Sequence, residues 1–405
     1  MSVLSIDRCA LRLVIHTVMK VAQIVTSIGY ESSGPSYSVP GLARGLVAAG
    51  VDASVHTLEP EIQDRRVPII YYRRNKVPFL RHLGISTDMW RGLKRIAGEY
   101  DIFHSNGLWM CPNVYPAWSL RLASVKRSCK LVTAPRGALA DWCLRRSRVV
   151  KKIFGVAVQY AAMGWTDMWH ATCEKEYMEI RGQGYKQPVA IVPIGMDLPK
   201  IDSKDIAIGI RKKKDLRRVA FFGRIHDVKC VDRLVLAWSR ICKYYPNWEL
   251  AIAGPDCGGM ASVNSIIQRE KTPRVSFWGE LHGNDKYRFL QNADVYVLPS
   301  HTENFAITVA EALACGIPCI ASKGSPWRCI DDEGAGWWVN NDVHTLSSVM
   351  YAALAKSPKE LQRMGERGRK MIERDFSWTG VGIKMKSAYE WILGNTDRPD
   401  WVKID

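Results

Sequence analysis

The stretch "VYVLPSHTENFAITVAEALACGIPCIAS", residues 295–322, contains the clearest change of pattern in the chain. A short apolar run is followed by the polar loop "HTEN" and then by apolar residues at helical spacing that stop at Gly316. This order predicts a buried strand, a loop and a helix starting near Phe305. Glu303 lies on the loop, and Glu311, with seven residues between the two, lies about two turns into the predicted helix.

The predicted helix start offers a place for an anion, because the helix dipole and free backbone amides favour negative charge there. Four residues supply these amides: Asn304, Phe305, Ala306 and Ile307. A phosphate at this point would have a carboxylate on either side, and the carboxylates would accept hydrogen bonds from sugar hydroxyls. A nucleotide sugar has this layout. Alternatively, Glu303 is a helix-start acid and Glu311 is an exposed charge, and the spacing alone does not decide between these interpretations.

A second group of charges follows another predicted strand. The stretch "FFGRIHDVKC", residues 221–230, places Arg224 and Lys229 on the loop after "RRVAFF". Because ligands bind beyond the carboxyl ends of parallel strands, both cations are expected at the same sheet edge as Glu303. Two fixed cations are what a diphosphate leaving group needs as its charge grows. An arginine and a lysine on a loop are usually solvated, so this interpretation depends on the nearby helix start.

Strand-like apolar runs alternate with amphipathic stretches along the whole chain, which predicts an α/β fold with parallel sheets. The pattern restarts after a polar, lysine-rich connector at about residues 198–216. We therefore expect two doubly wound, Rossmann-like domains that face a cleft. The expected divisions are an extension that is disordered or untranslated (1–18), an N-terminal acceptor-side domain (19–197), a C-terminal nucleotide-sugar-binding domain (198–385), and a last helix and tail that pack back on the N-terminal domain (386–405).

The net charge of +17 indicates either solvated basic faces or an anionic partner. Two basic runs stand out, at residues 145–152 and 211–218. No helix-turn-helix, zinc-finger or RNA-binding signature supports nucleic acid as the partner, so an anionic membrane surface is favoured. No segment approaches the ~20 apolar residues of a membrane-spanning helix. The expected location is cytoplasmic, peripheral on the inner face of the cell membrane.

The eleven cysteines are scattered, without a C-x-x-C pair, and no histidine–cysteine cluster has zinc spacing. This pattern is typical of reduced thiols packed in a core, and we expect no bound metal and no separate cofactor. Residues 1–18 lack the uninterrupted apolar region and the cleavage site of a signal peptide. Met19 is our hypothesis for the working start.

Motifs in both halves of the chain resemble those of one enzyme family. The second half carries "GRIHDVK", "GPD", the E-x7-E stretch and "GAGWWV"; the first half carries "SSGPSYSVPGLARGLVAAGVDASVHTL", "DIFHSNGLW", "APRGAL" and "ATCEKE". Together they resemble the retaining glycosyltransferases of family 4, which have the GT-B fold. The resemblance runs roughly from Met19 to the C-terminal helix, and the E-x7-E pattern is its most specific part.

The resemblance implies a hexosyltransferase that moves a sugar from a nucleotide-sugar donor to a glycan or polyprenyl-linked acceptor, with retention of configuration and without a bound metal. Enzymes that resemble this one often build bacterial surface polysaccharide on a lipid carrier, such as lipopolysaccharide O-antigen or exopolysaccharide. By the same resemblance, Glu303 contacts the donor sugar, Glu311 holds the ribose, and Arg224 and Lys229 bind the diphosphate. Glu303, Arg224 and Lys229 are thus the expected catalytic residues.

Further roles implied by the resemblance concern the edges of the cleft. The loop at Ser33 and Gly34 would approach the phosphates or the acceptor, and the base would lie against backbone near Trp278 and Gly279. Asn106 stands where the family often has a histidine that touches the donor sugar, and an asparagine can also donate a hydrogen bond there.

Arg136, in "APRGAL", is expected at the cleft as an acceptor or phosphate contact. His104 is expected to be a core histidine.

Two other functions remain compatible with parts of the sequence. A sugar-nucleotide epimerase or a phosphorylase could share the two-domain architecture, and an epimerase would consume its nucleotide sugar without an acceptor. A nucleic-acid-binding protein would depend on charge alone, bind DNA or RNA in a strongly salt-dependent way, and be indifferent to substitution of Glu303.

Overall fold

The computed structural model describes residues 18–29, 34–59, 66–76, 83–122, 129–145, 147–199 and 216–404. Nearly all of the 1–18 extension, Ser33, most of the connector and most of the 211–218 basic run therefore lie outside the described residues.

The N-terminal domain is built on a sheet that has eight strands among the described residues, in the order β14-β7-β6-β5-β4-β1-β2-β3. All neighbours are parallel except β14 and β7. The strands are β1 (Lys20–Val25), β2 (Asp52–Leu58), β3 (Ile69–Tyr72), β4 (Ile102–Asn106), β5 (Lys130–Ala134), β6 (Met168–Ala171), β7 (Val189–Ile191) and β14 (Val402–Lys403).

Helices connect most of the parallel strands, because a parallel neighbour can be reached only by a crossover connection. They are α1 (Gly34–Ala48), α2 (Thr87–Ile96), α3 (Cys111–Leu122), α4 (Asp141–Arg145), α5 (Arg148–Phe154), α6 (Tyr160–Gly164) and α7 (Glu174–Gly182). A π-helical turn, Gly155–Gln159, joins α5 to α6.

The C-terminal domain has a parallel sheet with six strands in the described part of the chain, in the order β10-β9-β8-β11-β12-β13. Its central strands are apolar on both faces because helices cover both sides of the sheet. The strands are β8 (Arg217–Phe222), β9 (Trp248–Ala253), β10 (Val275–Phe277), β11 (Val295–Leu298), β12 (Cys319–Ser322) and β13 (Gly336–Val339).

The helices of this domain follow the same alternation, and short 3-10 turns at Asp227–Lys229 and Cys242–Tyr244 supplement them. They are α8 (Val231–Ile241), α9 (Met260–Arg269), α10 (Gly283–Gln291), α11 (Ile307–Ala314), α12 (Cys329–Asp332), α13 (Val343–Leu354) and α14 (Pro358–Asp375). The prediction of two wound α/β domains is confirmed.

The chain then returns to the N-terminal domain through α15 (Trp378–Ile392), which begins ahead of the expected boundary at residue 386. Helices α15 and α1 pack so closely that their backbones touch. A Cβ on Gly45 would lie 2.2 Å from the carbonyl oxygen of Trp378, and one on Gly382 would lie 2.1 Å from that of Gly45. Only glycine fits at these positions. Beyond α15, Val402 pairs antiparallel with Ala190, so the tail forms a strand that the sequence did not predict.

Candidate active site

A cleft of about 900 Å³ lies between the two domains, at the carboxyl ends of both parallel sheets. Its wall includes the loops after β8, β9 and β11 on one side, and the start of α1 and the loop after β5 on the other. The structure brings four of the predicted residues together in this cleft: Arg224, Lys229, Glu303 and Glu311.

The helix after β11 begins at Ile307, not near Phe305 as predicted. Ala306 caps it with a left-handed backbone conformation (φ 62°), which breaks the helical path before Ile307. Trp327 helps to hold this turn, because its indole NH donates to the carbonyl of Phe305 (2.5 Å) and the two rings pack edge to face. Glu311 therefore lies about one turn into the helix instead of two.

The first amides of α11 precede the first intrahelical hydrogen bonds and face the cleft. Asn304 and Phe305 contribute to the loop that leads into the helix, and Ala306, Ile307 and Thr308 form its first turn; all of them line the cleft. The hydroxyl of Tyr296 donates to Thr308 (2.8 Å) and fixes this turn from below. The free helix-start amides that the sequence predicted from Asn304 onward therefore begin about two residues later in the chain.

Glu303 is ion-paired with Lys229, with the two atoms Oε1 and Nζ 2.6 Å apart. Both side chains are largely buried, with 12% and 16% of their surface exposed. The amide of Glu303 donates to the carbonyl of Gly324 (2.9 Å), which ties the loop to the end of β12. This pair holds the Glu303 carboxylate in a defined orientation, and it gives Lys229 a protein partner that the sequence analysis did not foresee.

Arg224 is exposed at the cleft and has no hydrogen-bond or ion-pair partner among the residues that the structure describes. The loops after β8 and β9 meet beside it at a tight backbone contact. A Cβ on Gly254 would lie 1.9 Å from the carbonyl oxygen of Gly223, and both glycines have positive φ (139° and 152°). Because its side chain has no such partner and lines the cleft, the Arg224 guanidinium is available to an anionic group there.

Glu311 is ion-paired with Lys286 of α10, with Oε1 and Nζ 2.5 Å apart. Only 5% of the Glu311 side chain is exposed, so the alternative of a solvated surface charge is wrong. Burial raises the pKa of Glu311, and the Lys286 ammonium opposes that rise. Sequence analysis missed Lys286, since a lysine on an amphipathic helix looks like any solvated lysine.

Arg136 lies in the opposite wall, at a turn where its backbone is left-handed (φ 56°). Its guanidinium donates to the side-chain oxygen of Asn106 through Nη2 (2.8 Å) and Nε (3.2 Å). Burial lowers the pKa of Arg136. The Asn106 amide in turn donates to Gln23 (3.0 Å). Asn106 is buried behind the cleft wall and orients Arg136, which corrects the prediction that it touches the donor sugar.

His104 is a core histidine, as expected. Its ring lies within hydrogen-bond distance of the Tyr389 hydroxyl (2.6 Å) and of His170 (3.3 Å). Burial lowers the pKa of both histidines, with that of His170 at about 3, so both rings are neutral. The contact with Tyr389 anchors α15 to the N-terminal sheet.

A set of contacts across the cleft was not predicted. Lys175 of α7 donates to the Thr302 hydroxyl (2.5 Å) and to the carbonyl of Glu303 (3.1 Å). Asn304 donates to Thr172 (3.2 Å) at the end of β6. The "TCEK" turn of the N-terminal domain thus holds the "HTEN" loop of the C-terminal domain. The stretch "ATCEKE" was recognised in the sequence, but nothing there showed that it contacts the "HTEN" loop.

The two residues predicted to lie near the nucleotide base do not line the cleft. Trp278 is not part of the cleft wall; its ring stacks under the guanidinium of Arg218 and packs edge to face on Phe289. Gly279 accepts from the amide of Gly254 and is likewise outside the wall. The next stretch, residues 280–283, lines the cleft instead.

The remaining expectations concern metals, membranes and thiols. Within the described ranges, no three histidine, cysteine, aspartate or glutamate side chains are grouped as a metal site would require. The helices of the described residues include none that is long and apolar enough to cross a bilayer. Ten cysteines fall within these ranges, and all ten are free thiols.

Two family models match the chain, one for each domain. The model described as glycosyl transferases group 1 matches residues 202–371, and the glycosyl transferase 4-like domain model matches residues 33–195. A D-inositol 3-phosphate glycosyltransferase of Jonesia denitrificans is 25% identical over 399 residues, which is 89% of this chain and 91% of that protein. The Segniliparus rotundus enzyme of the same name is 27% identical over 217 residues, and the chain spans about half of it (48%).

Solved structures agree on the architecture. Sucrose-phosphate synthase from Thermosynechococcus elongatus superposes with a TM-score of 0.73 at 19% identity, covering 93% of this chain and 100% of that one. Anabaena Alr3699/HepE, solved in complex with UDP-glucose, gives a TM-score of 0.68 at 15% identity, covering 92% of this chain and 100% of that one. At these identities the likeness establishes the fold, which is GT-B.

Proposed function

This chain belongs to the group 1 glycosyltransferases, and on that premise we propose that it transfers a hexose from a nucleotide-sugar donor to a glycan or lipid-linked acceptor with retention of configuration. The observation that carries the proposal is the pair of lysine-bound carboxylates, Glu303 and Glu311, on either side of the α11 start in one cleft. This arrangement places hydrogen-bond acceptors at both ends of an anion site.

The nucleotide sugar binds with its phosphates at the first turn of α11, where amides and the helix dipole receive negative charge. Glu311 accepts hydrogen bonds from the ribose hydroxyls, and Glu303 accepts them from the donor sugar. When the bond between the sugar and the diphosphate breaks, negative charge grows on the leaving phosphate. Arg224, Lys229 and the helix start supply the positive charge that stabilises it, so these residues take the role that a metal has in other transferases.

The acceptor side carries a surface suited to an anionic membrane. Helices α4 to α6 expose aliphatic side chains, and 67% of Ile153 and 73% of Val156 are accessible. Basic residues stand among them: Arg145, Arg148, Lys151 and Lys152. We call this region the α4–α6 surface. Apolar groups that insert among lipid headgroups, with cations beside them, suit a peripheral contact with anionic lipid.

A membrane-borne glycan is therefore the proposed acceptor. Assembly of lipopolysaccharide O-antigen or exopolysaccharide on a lipid carrier provides one, and we propose this setting at the inner face of the cell membrane.

A thermal-shift screen against UDP-, GDP- and ADP-sugars tests the proposal. One nucleotide sugar is expected to raise the Tm of the wild type and to lose that effect in Glu311→Ala. Glu366→Ala, on the exposed face of α14, serves as the matched control and keeps the shift. If no nucleotide sugar stabilises the wild type, or if Glu311→Ala responds like the control, the proposed donor site is wrong.

A further inference from the structure

A second cavity, of about 640 Å³, opens from the side of the donor cleft. It lies between α4, α7 and the loop after β11, and we call it the α4–α7 cavity. Four residues line both spaces: Ala140, Trp142, Glu179 and Thr302. The two spaces are therefore adjacent, and a molecule in the second cavity would lie beside the donor on the N-terminal side.

The walls of the α4–α7 cavity combine an aromatic face with polar groups. Trp142 is 43% exposed although it is a large aromatic residue, and Met178 is exposed beside it. Glu179, at the boundary of the two spaces, is half-buried and has no hydrogen-bond or ion-pair partner among the described residues. An exposed indole and an unpartnered carboxylate are groups that a ligand can complete.

We propose that the α4–α7 cavity binds the acceptor saccharide, with the Trp142 indole against a sugar ring and the Glu179 carboxylate accepting a hydrogen bond from an acceptor hydroxyl. This inference rests on the proposed transferase function and adds the acceptor subsite to it. Sugar rings present an apolar C–H face and a rim of hydroxyls, which match an indole face and a carboxylate respectively.

The position of the cavity also fits an acceptor that is attached to a lipid. Trp142 and Arg145 belong to α4, and α4 leads directly into the α4–α6 surface. A saccharide seated in the cavity would lie beside α4, which precedes Arg148 and Ile153 in the chain, so its lipid is placed at that surface. The same short helix thus serves the saccharide on one side and the membrane surface on the other.

The ionisation of Glu179 makes acceptor binding pH-dependent. Burial raises the pKa of Glu179 to about 7; Glu176 and Asp141 add to the rise, and Lys175 opposes it. Arg145 and His301 are further ionisable groups in the wall. The carboxylate form accepts stronger hydrogen bonds than the neutral acid, so acceptor affinity is expected to increase from pH 6 to pH 8.

The test separates acceptor binding from donor binding. Methyl glycosides of glucose, galactose, mannose and N-acetylglucosamine are titrated by saturation-transfer NMR against protein saturated with the nucleotide that the thermal-shift screen selects. At least one glycoside is expected to bind the wild type. Trp142→Ala should weaken that binding about tenfold and Glu179→Gln about fivefold, losses of the size expected for one stacking contact and one charged hydrogen bond.

The matched control is Glu174→Gln, an exposed glutamate in the first turn of α7 that lies outside both spaces. It should bind the glycoside like the wild type, and all three variants should keep the nucleotide thermal shift. The subsite is wrong if no glycoside binds a wild type that does bind its nucleotide sugar. It is also wrong if Trp142→Ala and Glu179→Gln bind the glycoside as the control does. A wild type that binds no nucleotide sugar overturns the proposed function itself.

Discussion

The two walls of the cleft differ in whether their carboxylates are already paired with lysine side chains. On the C-terminal wall, Glu303 and Glu311 each have a lysine within 2.6 Å and are largely buried. On the N-terminal wall, Glu179 has no hydrogen-bond or ion-pair partner in the described part of the chain, and Trp142 is nearly half exposed. The two carboxylates of the C-terminal wall are fixed by their own ion pairs, whereas Glu179 and Trp142 on the N-terminal wall are available to a ligand.

This difference indicates which part of the reaction each wall serves. Groups that stabilise developing charge act best when they are fixed beforehand, since no reorganisation is then needed during the reaction. Groups that recognise a partner can bind it directly when no hydrogen bond or ion pair within the protein occupies them. We therefore expect substitutions on the C-terminal wall to slow cleavage of the donor. We expect those on the N-terminal wall to weaken binding of the acceptor.

Among substitutions on the C-terminal wall, Glu303→Gln is expected to have the largest effect. The amide keeps the shape of the carboxylate but loses its charge and its ion pair with Lys229. We expect kcat at saturating donor to fall about 10²- to 10³-fold, the size of effect that follows loss of one fixed electrostatic group. Glu366→Gln, at an exposed glutamate outside the cleft, should stay within about threefold of the wild type. A loss of less than tenfold in Glu303→Gln would show that the fixed carboxylate is not needed for transfer.

Lys286→Met removes the cation from the buried Glu311 carboxylate. Burial already raises the pKa of Glu311, and without Lys286 the pKa rises further. A folded-state pKa above the unfolded value means that stability is lost as pH rises through that range. The variant should therefore lose little at pH 5 and about 3 kcal/mol at pH 8, measured by urea unfolding. An equal loss at both pH values would show that Glu311 does not depend on Lys286.

The α4–α6 surface provides a test on the N-terminal domain outside the cleft. Ile153→Asp places a negative charge among exposed aliphatic and basic residues, so binding to vesicles that contain phosphatidylglycerol should fall about tenfold. Sedimentation with vesicles measures this binding. Ile383→Asp, at a similarly exposed residue on α15, is the control and should bind as the wild type does. Both variants should keep the nucleotide thermal shift; equal vesicle binding by the two would exclude the surface as a membrane contact.

The smallest expected effect is the change in thermal stability with pH that ionisation of Glu179 causes. Its pKa is raised to about 7, so the wild type loses stability as pH rises from about 5 to 8. Glu179→Gln carries no such charge, and its Tm relative to the wild type should increase over the same range by about two degrees. Asp141, Lys175, Glu176 and Arg145 surround the site and stay unchanged. Glu174→Gln should show no trend; a constant difference for Glu179→Gln would place its pKa elsewhere.

The sequence predicted the fold and four of the charged residues on the C-terminal wall of the cleft. The periodicity of the strands and the rule that their carboxyl ends meet at one edge were enough to bring Arg224, Lys229, Glu303 and Glu311 into one cleft. The start of α11 was misplaced because the left-handed turn at Ala306 depends on Trp327, a partner distant in sequence.

Other features of the structure left no recognisable pattern in the neighbouring sequence. Lys175 and Lys286 look like solvated helix residues until their partners are known. Asn106 was assigned to the donor sugar because it stands where the resembled family often has a sugar-contacting histidine, but Gln23 and Arg136 use both ends of its amide. The two-residue strand β14 is too short to show any periodicity.

The return of the chain through α15 and β14 has a consequence for biosynthesis. On a ribosome the N-terminal sheet is made first, yet the strand that pairs with Ala190 contains Val402, and the hydroxyl that binds His104 belongs to Tyr389. The edge of β7 therefore stays open while the entire second domain is translated, and an open edge is prone to pair with another chain. The first domain to emerge is the last to be completed, so a nascent chain that stalls before α15 displays an unfinished sheet to the cell's chaperones.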